Sequence, residues 1–153
     1  MNSVKLPLVT RTGEPGTRSG LNWGQRNTRD PNQAYIPIPV EHRSFFPARG
    51  LPFTCHTDDG RQLTLVVAQL VRLSPTAPEP ETKPDPDIVY LREAGKALHT
   101  PHENSELGRY FRRRLGLRSG TFVTRKHLDA YGRTDVEFGR ISETVYYLDF
   151  SKP

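Results

Sequence analysis

The chain has one cysteine, one methionine and one tryptophan in 153 residues, and only 34% of it is hydrophobic. The single cysteine, Cys55, excludes an internal disulfide and a finger-type zinc site. Lying in an apolar run between Phe53 and Leu63, it reads as small core filling in a protein kept in a reducing, cytoplasmic compartment. No window approaches the roughly 18 apolar residues of a membrane span. The opening MNSVKLPLVT lacks the apolar core of a secretory signal, so neither a membrane nor an export route is expected. Long uninterrupted segments are scarce too: 14 prolines and 12 glycines break the chain often enough to exclude a helical bundle.

Catalytic patterns are equally thin. A hydrolytic nuclease needs clustered carboxylates with a lysine around a metal, or a histidine nucleophile. Asp87, Glu93 and Lys96 leave a Glu-x-x-Lys spacing where metal-dependent nucleases commonly have Glu-x-Lys, and Asp87 sits in a proline-rich stretch. None of the histidines, His42, His56, His99, His102 and His127, forms a His-x-Lys pair. His99 and His102 are close enough to share a metal, but solvated loop histidines are the plainer reading. Asp58 and Asp59 precede Gly60 between two strand-like runs, which turn chemistry explains without a metal. The chain is therefore expected to lack catalysis of its own and to need no metal or cofactor.

What is present is positive charge. With 22 Lys and Arg against 17 Asp and Glu, the net charge is +5, which favours an anionic partner. The length suits one domain, residues 1–153, mainly β with two short helices. Residues 4–10 read as a strand, and residues 34–40 (AYIPIPV) as an edge strand, since proline donates no ladder hydrogen bond. Residues 51–57 and 62–71 read as a hairpin around Asp-Asp-Gly. Residues 74–87 hold five prolines and four acidic residues and read as a flexible insertion. Asn104 or Ser105 is placed to cap a helix with Leu107, Tyr110, Phe111 and Leu115 on one face and Arg109, Arg112 and Arg113 on the other. Thr124 is placed to cap a second helix ending at Gly132, and residues 134–141 and 144–150 alternate as strands. Short strands with two small helices indicate a barrel-like β fold.

Two regions carry side chains suited to a nucleic acid. Residues 19–33 concentrate Trp23, Gln25, Arg26, Arg29, Asn32 and Gln33, and Arg, Asn and Gln are the groups that read base edges. The plain alternative is a solvated loop with Trp23 packed back onto the barrel. The second region runs from Lys96 through His99, Thr100, His102, Asn104 and Ser105 into the helix arginines, where a helix start suits a phosphate.

The motifs SGLNWGQR, RDPNQAYIPIP, FFPARGLPFTCHTDDGRQL, NSELGRYFRRRLGL and YGR, ordered over most of residues 3–151, resemble the C-terminal DNA-recognition domain of NgoFVII-type restriction endonucleases. In that family a phospholipase D-like nuclease domain is joined to a B3-like domain. The resemblance implies a seven-stranded open pseudobarrel that grips double-stranded DNA in the major groove with two arms. It puts Gln25, Arg26, Arg29, Asn32 and Gln33 on the first arm, with His99, Thr100, His102, Asn104 and Ser105 on or beside the second. Arg109, Arg112, Arg113 and Lys126 are then expected to hold phosphates, in a recognition domain or subunit serving phage defence. A small metal-dependent nuclease and a protein-interaction module of a defence system are the alternatives.

Overall fold

The computed structural model describes residues 2–25, 29–72, 88–91 and 95–153. Among these residues, eight strands follow one another with two α-helices between them. These are β1 (Ser3–Pro7), β2 (Ile36–Ile38), β3 (Phe53–Thr57), β4 (Gln62–Arg72), β5 (Ile88–Leu91), β6 (Gly95–His99), α1 (Glu106–Arg114), α2 (Arg125–Tyr131), β7 (Asp135–Arg140) and β8 (Val145–Asp149). Short 3-10 helices lie at Gly20–Asn22 and Val40–Phe45. Seven strands run in the order β1-β7-β8-β3-β4-β6-β2, and β5 pairs with β4 beside that path. Along the path every ladder is antiparallel except β3 with β8, which is parallel. The two end strands, β1 and β2, face each other across a seam, so the sheet curls into a nearly closed barrel, the expected B3-like pseudobarrel. Pro37 is tolerated in β2 because that strand is an edge. A cleft of about 760 Å3 follows the seam, lined by Leu8, Val9, Ile36 and Ile38 among others.

Period-two alternation sends one side of each strand inwards. Leu6, Ile36, Phe53, Cys55, Leu65, Val67, Leu98, Val136, Phe138, Tyr146 and Leu148 form the core. Burial pushes the Cys55 thiol up to about 12, so it stays protonated and inert, as core filling should. Helix α1 buries Leu107, Tyr110 and Phe111 against this core, with Phe111 edge-on to Phe150 at 5.0 Å.

The capping of α1 departs from expectation. Ser105 occupies the N-cap position, but its hydroxyl donates to Glu103 at 3.1 Å and accepts from Arg109 at 2.7 Å. The Leu107 N–H goes instead to Thr100 Oγ1 at 3.3 Å. Helix α2 is built as read: the Thr124 hydroxyl accepts from the His127 N–H, Thr124 N–H donates to His127 Nδ1 at 3.0 Å, and Gly132 at φ 101° ends it.

The Asp58-Asp59-Gly60 turn joins β3 to β4 and docks on α1. Arg114 meets both Asp58 oxygens at 2.8 and 2.7 Å, Arg113 meets Asp59 at 3.0 Å, and the Tyr110 hydroxyl donates to Asp59 at 3.0 Å. Burial works against the Asp59 carboxylate. Hydrogen bonds from Thr57, Tyr110 and Arg113, with the Arg114 charge, outweigh it and lower the pKa to about 2. An unfolded aspartate takes up its proton at about pH 4. This group therefore stabilises the fold above about pH 4, and the contribution is lost as the pH falls towards 2. Asp59→Asn should accordingly be less stable than wild type at neutral pH and show a shallower loss of stability between those pH values, followed by circular dichroism. Parallel acid curves for the two proteins would assign the dependence to another carboxylate.

Candidate nucleic-acid interface

The stretch expected to form the first arm leaves the end of β1 and returns at β2, and buried amides tie it down. Asn22 Nδ2 donates to the carbonyls of Gly16 at 2.9 Å and Val123 at 2.8 Å, and its Oδ1 accepts the Val123 N–H at 2.8 Å. Asn32 donates to Ser119 Oγ at 2.8 Å and accepts the Gly120 N–H at 2.6 Å. Gln25 donates to the carbonyls of Pro31 at 2.9 Å and Gly120 at 3.1 Å. Three side chains that resemble base readers thus hold the arm to itself and to the segment between α1 and α2. Asn22 and Asn32 are buried, and Gln25 has both amide hydrogens committed.

Trp23 is 0% exposed. It packs edge-on to Tyr35 with ring centroids 5.7 Å apart, and the pair sits over Ala68 and Ala97. Val67 and Leu98 point into the barrel, so their neighbours Ala68 and Ala97 face outwards. Two small residues thereby make a seat on the outer face of β4 and β6. Trp23, one of the candidate DNA-binding residues, is thus packed back onto the barrel as an internal anchor. Above it, the Arg29 guanidinium lies 4.7 Å from the ring centroid and donates to Gln33 Oε1 at 2.7 Å, which makes Arg29 and Gln33 one half-buried polar unit on the arm.

The second region is a strand and a turn. Lys96 and His99 belong to β6, and His99, read as a solvated loop residue, is 1% exposed with Nδ1 3.0 Å from Asn104 Oδ1. Thr100 and Ser105 are buried by their bonds at the start of α1, whereas His102 is exposed and Asn104 half-buried. The two regions meet where the Ala34 N–H donates to the Asn104 carbonyl at 3.2 Å.

The basic helix face is largely spoken for. Arg109 pairs with Glu103 at 2.9 Å and Arg113 with Asp59 at 3.0 Å. Arg112, expected on that face holding a phosphate, is 0% exposed, and burial brings its pKa down to about 10, so it remains charged at neutral pH. Its guanidinium donates to the carbonyls of Thr121, Gly108 and Leu21 at 2.8, 3.1 and 3.0 Å. The reason is that Gly108 and Arg112, four residues apart, form a third helix face that the arm covers. Lys126 is exposed on α2.

Arg26 lies outside the described residues, as do the insertion at 74–87 and the acidic residues Asp87 and Glu93. Sequence reasoning missed Asn22, Gly24, Tyr35, Gly108, Ser119 and Gly120, all of which shape the arm. Asn22 and Gly24 flank the tryptophan in SGLNWGQR, and Tyr35 and Gly108 lie in RDPNQAYIPIP and NSELGRYFRRRLGL, whereas Ser119 and Gly120 fall outside these motifs. Among the described residues no group of three or more His, Cys, Asp or Glu gathers to hold a metal, and no helix is long and apolar enough to cross a membrane.

Residues 1–142 match the family model of the NgoFVII C-terminal B3-like DNA-binding domain. No curated protein matches the chain.

Proposed function

Because this chain belongs to the family of NgoFVII C-terminal B3-like DNA-binding domains, we propose that it binds a short double-stranded sequence through two arms in the major groove. It would do so as the target-recognition domain or subunit of a restriction endonuclease, and cleavage would fall to a phospholipase D-like nuclease domain or subunit. The observation that carries this reading is an arm fixed at its base by Asn22, Asn32 and Trp23 and presenting the Arg29–Gln33 unit. Arg suits guanine and Gln suits adenine in the major groove. Across the contact at Ala34, His102 and Asn104 supply further polar groups, while Lys96 and Lys126 offer charge to the phosphate backbone, which positions without specifying.

Selection of bound duplexes from a random pool at moderate salt tests it. One short enriched motif supports recognition; weak, salt-sensitive binding with no enrichment overturns it in favour of a protein-interaction module. On the selected duplex, Gln33→Ala should relax preference at one position, at about 1–3 kcal/mol for a lost base contact. Lys126→Ala should weaken binding to all sequences alike and lower the salt slope by about one. The reverse pattern, measured by competition and salt titration, would exchange their roles.

A further inference from the structure

We propose that Arg112 is a positioning residue for sequence readout, holding the recognition arm from beneath without touching DNA. The inference rests on the reading that this arm carries base contacts.

A buried guanidinium is costly unless its donors are met, and an apolar side chain would fill the same space more cheaply. Here three different nitrogens of Arg112 reach three separate pieces of backbone. Nη2 takes Leu21 O in the arm's 3-10 turn at 3.0 Å, Nε takes Thr121 O beyond α1 at 2.8 Å, and Nη1 takes Gly108 O one helical turn back at 3.1 Å. No carboxylate stands within ion-pair distance of it among the described residues, and the Asp30 charge attracts it from farther off. Its bonds are therefore structural ties between segments. The planar fork of an arginine suits this task because its donors point in fixed, divergent directions.

The supports form a sequence outward from the barrel. Leu107 and Phe111 root α1 in the core, and Arg114 locks its end to Asp58. Arg112 passes that rigidity to the arm at Leu21 and to the segment at Thr121. Asn22 and Asn32 then tie the arm to that same segment at Val123, Ser119 and Gly120. Gly108 lets the layers close: a Cβ there would lie 1.7 Å from Asn32 O and 2.9 Å from Arg112 Nη1. The described residues of an arm held this way are fixed before it meets DNA, so less of the gross interaction is lost to ordering them.

The test compares wild type with Arg112→Met and Arg112→Lys in the full chain. It reads affinity for the selected duplex, affinity for a scrambled duplex with its salt slope, and emission from Trp23, the sole tryptophan, which sits on the arm. For Arg112→Met we expect the preference for selected over scrambled DNA to fall at least about tenfold, the salt slope to stay unchanged, and Trp23 emission to move to the red; Arg112→Lys should fall between. Equal loss on both duplexes with a reduced slope would make Arg112 a phosphate ligand, and unchanged preference would reduce it to packing; either overturns the proposal. Should Arg112→Met fail to fold by circular dichroism, Asn32→Ala and Ser119→Ala cut the same support nearer the arm, and unchanged preference in both overturns it. A wild-type protein without any preferred sequence would sink the recognition reading instead, while Trp23 emission still decides whether Arg112 holds the arm.

Discussion

Trp23→Ala is expected to cost about 3–5 kcal/mol of stability, the range for emptying a fully buried aromatic site, and so to outweigh the loss of any single base contact. The ring is sealed between Tyr35 and the alanine seat of β4 and β6, with the Arg29 guanidinium as its lid. Removing it leaves a hole beneath the arm, with Arg29 and Gln33 unsupported above. Urea unfolding followed by far-ultraviolet circular dichroism should show an earlier midpoint, and preference for the selected duplex should fall with it. If Trp23 instead stacked on DNA, the midpoint would stay in place and only affinity would drop, which would refute the anchoring role.

Gly108→Ala reverses a familiar sign. In the middle of a helix, alanine is ordinarily favoured over glycine by about 1 kcal/mol. At this position the new methyl group would sit 1.7 Å from the Asn32 carbonyl oxygen and 2.7 Å from its carbon, and backbone atoms cannot swing aside as a flexible side chain does. Overpacking of this kind costs about 1–3 kcal/mol. The easiest relief is to lift the arm off α1, which breaks the Asn32 bonds to Ser119 and Gly120. The variant should thus be less stable and less discriminating together. A rise in midpoint with intact discrimination would show that α1 and the arm are not in close contact.

Much of the fold was legible locally. Asp-Gly fixed the hairpin, Thr124 and Gly132 fixed α2, and the prolines at residues 37 and 39 marked an edge strand. Strand β6 was not legible: Lys96, Ala97, Leu98 and His99 show too brief an alternation, and the ladders to β2 and β4 that make them a strand come from distant residues. Composition singled out residues 19–33, but not which of their side chains turn inwards. An amide that bonds a base edge bonds the protein's own carbonyls, hydroxyls and N–H groups just as well, so Asn32 and Gln25 look alike in either role. Arg112 misled for a related reason. Its neighbours Arg109 and Arg113 do lie on the outer side of α1, and only the arm folding over Gly108 makes a second inner face.

The parallel ladder of β3 with β8 sets the order in which the molecule can be made. It joins residues 54–57 to residues 145–148, across most of the chain. Pairings so distant in sequence close late, since the loop entropy must be met before they contribute. A chain growing on the ribosome can complete the β3–β4 hairpin early, but β3 keeps one bare edge until β8 is released. Phe150, just beyond β8, supplies the ring against which Phe111 of α1 rests. Barrel closure and the footing of α1 beneath the arm therefore have to wait until β8 and Phe150 have been made.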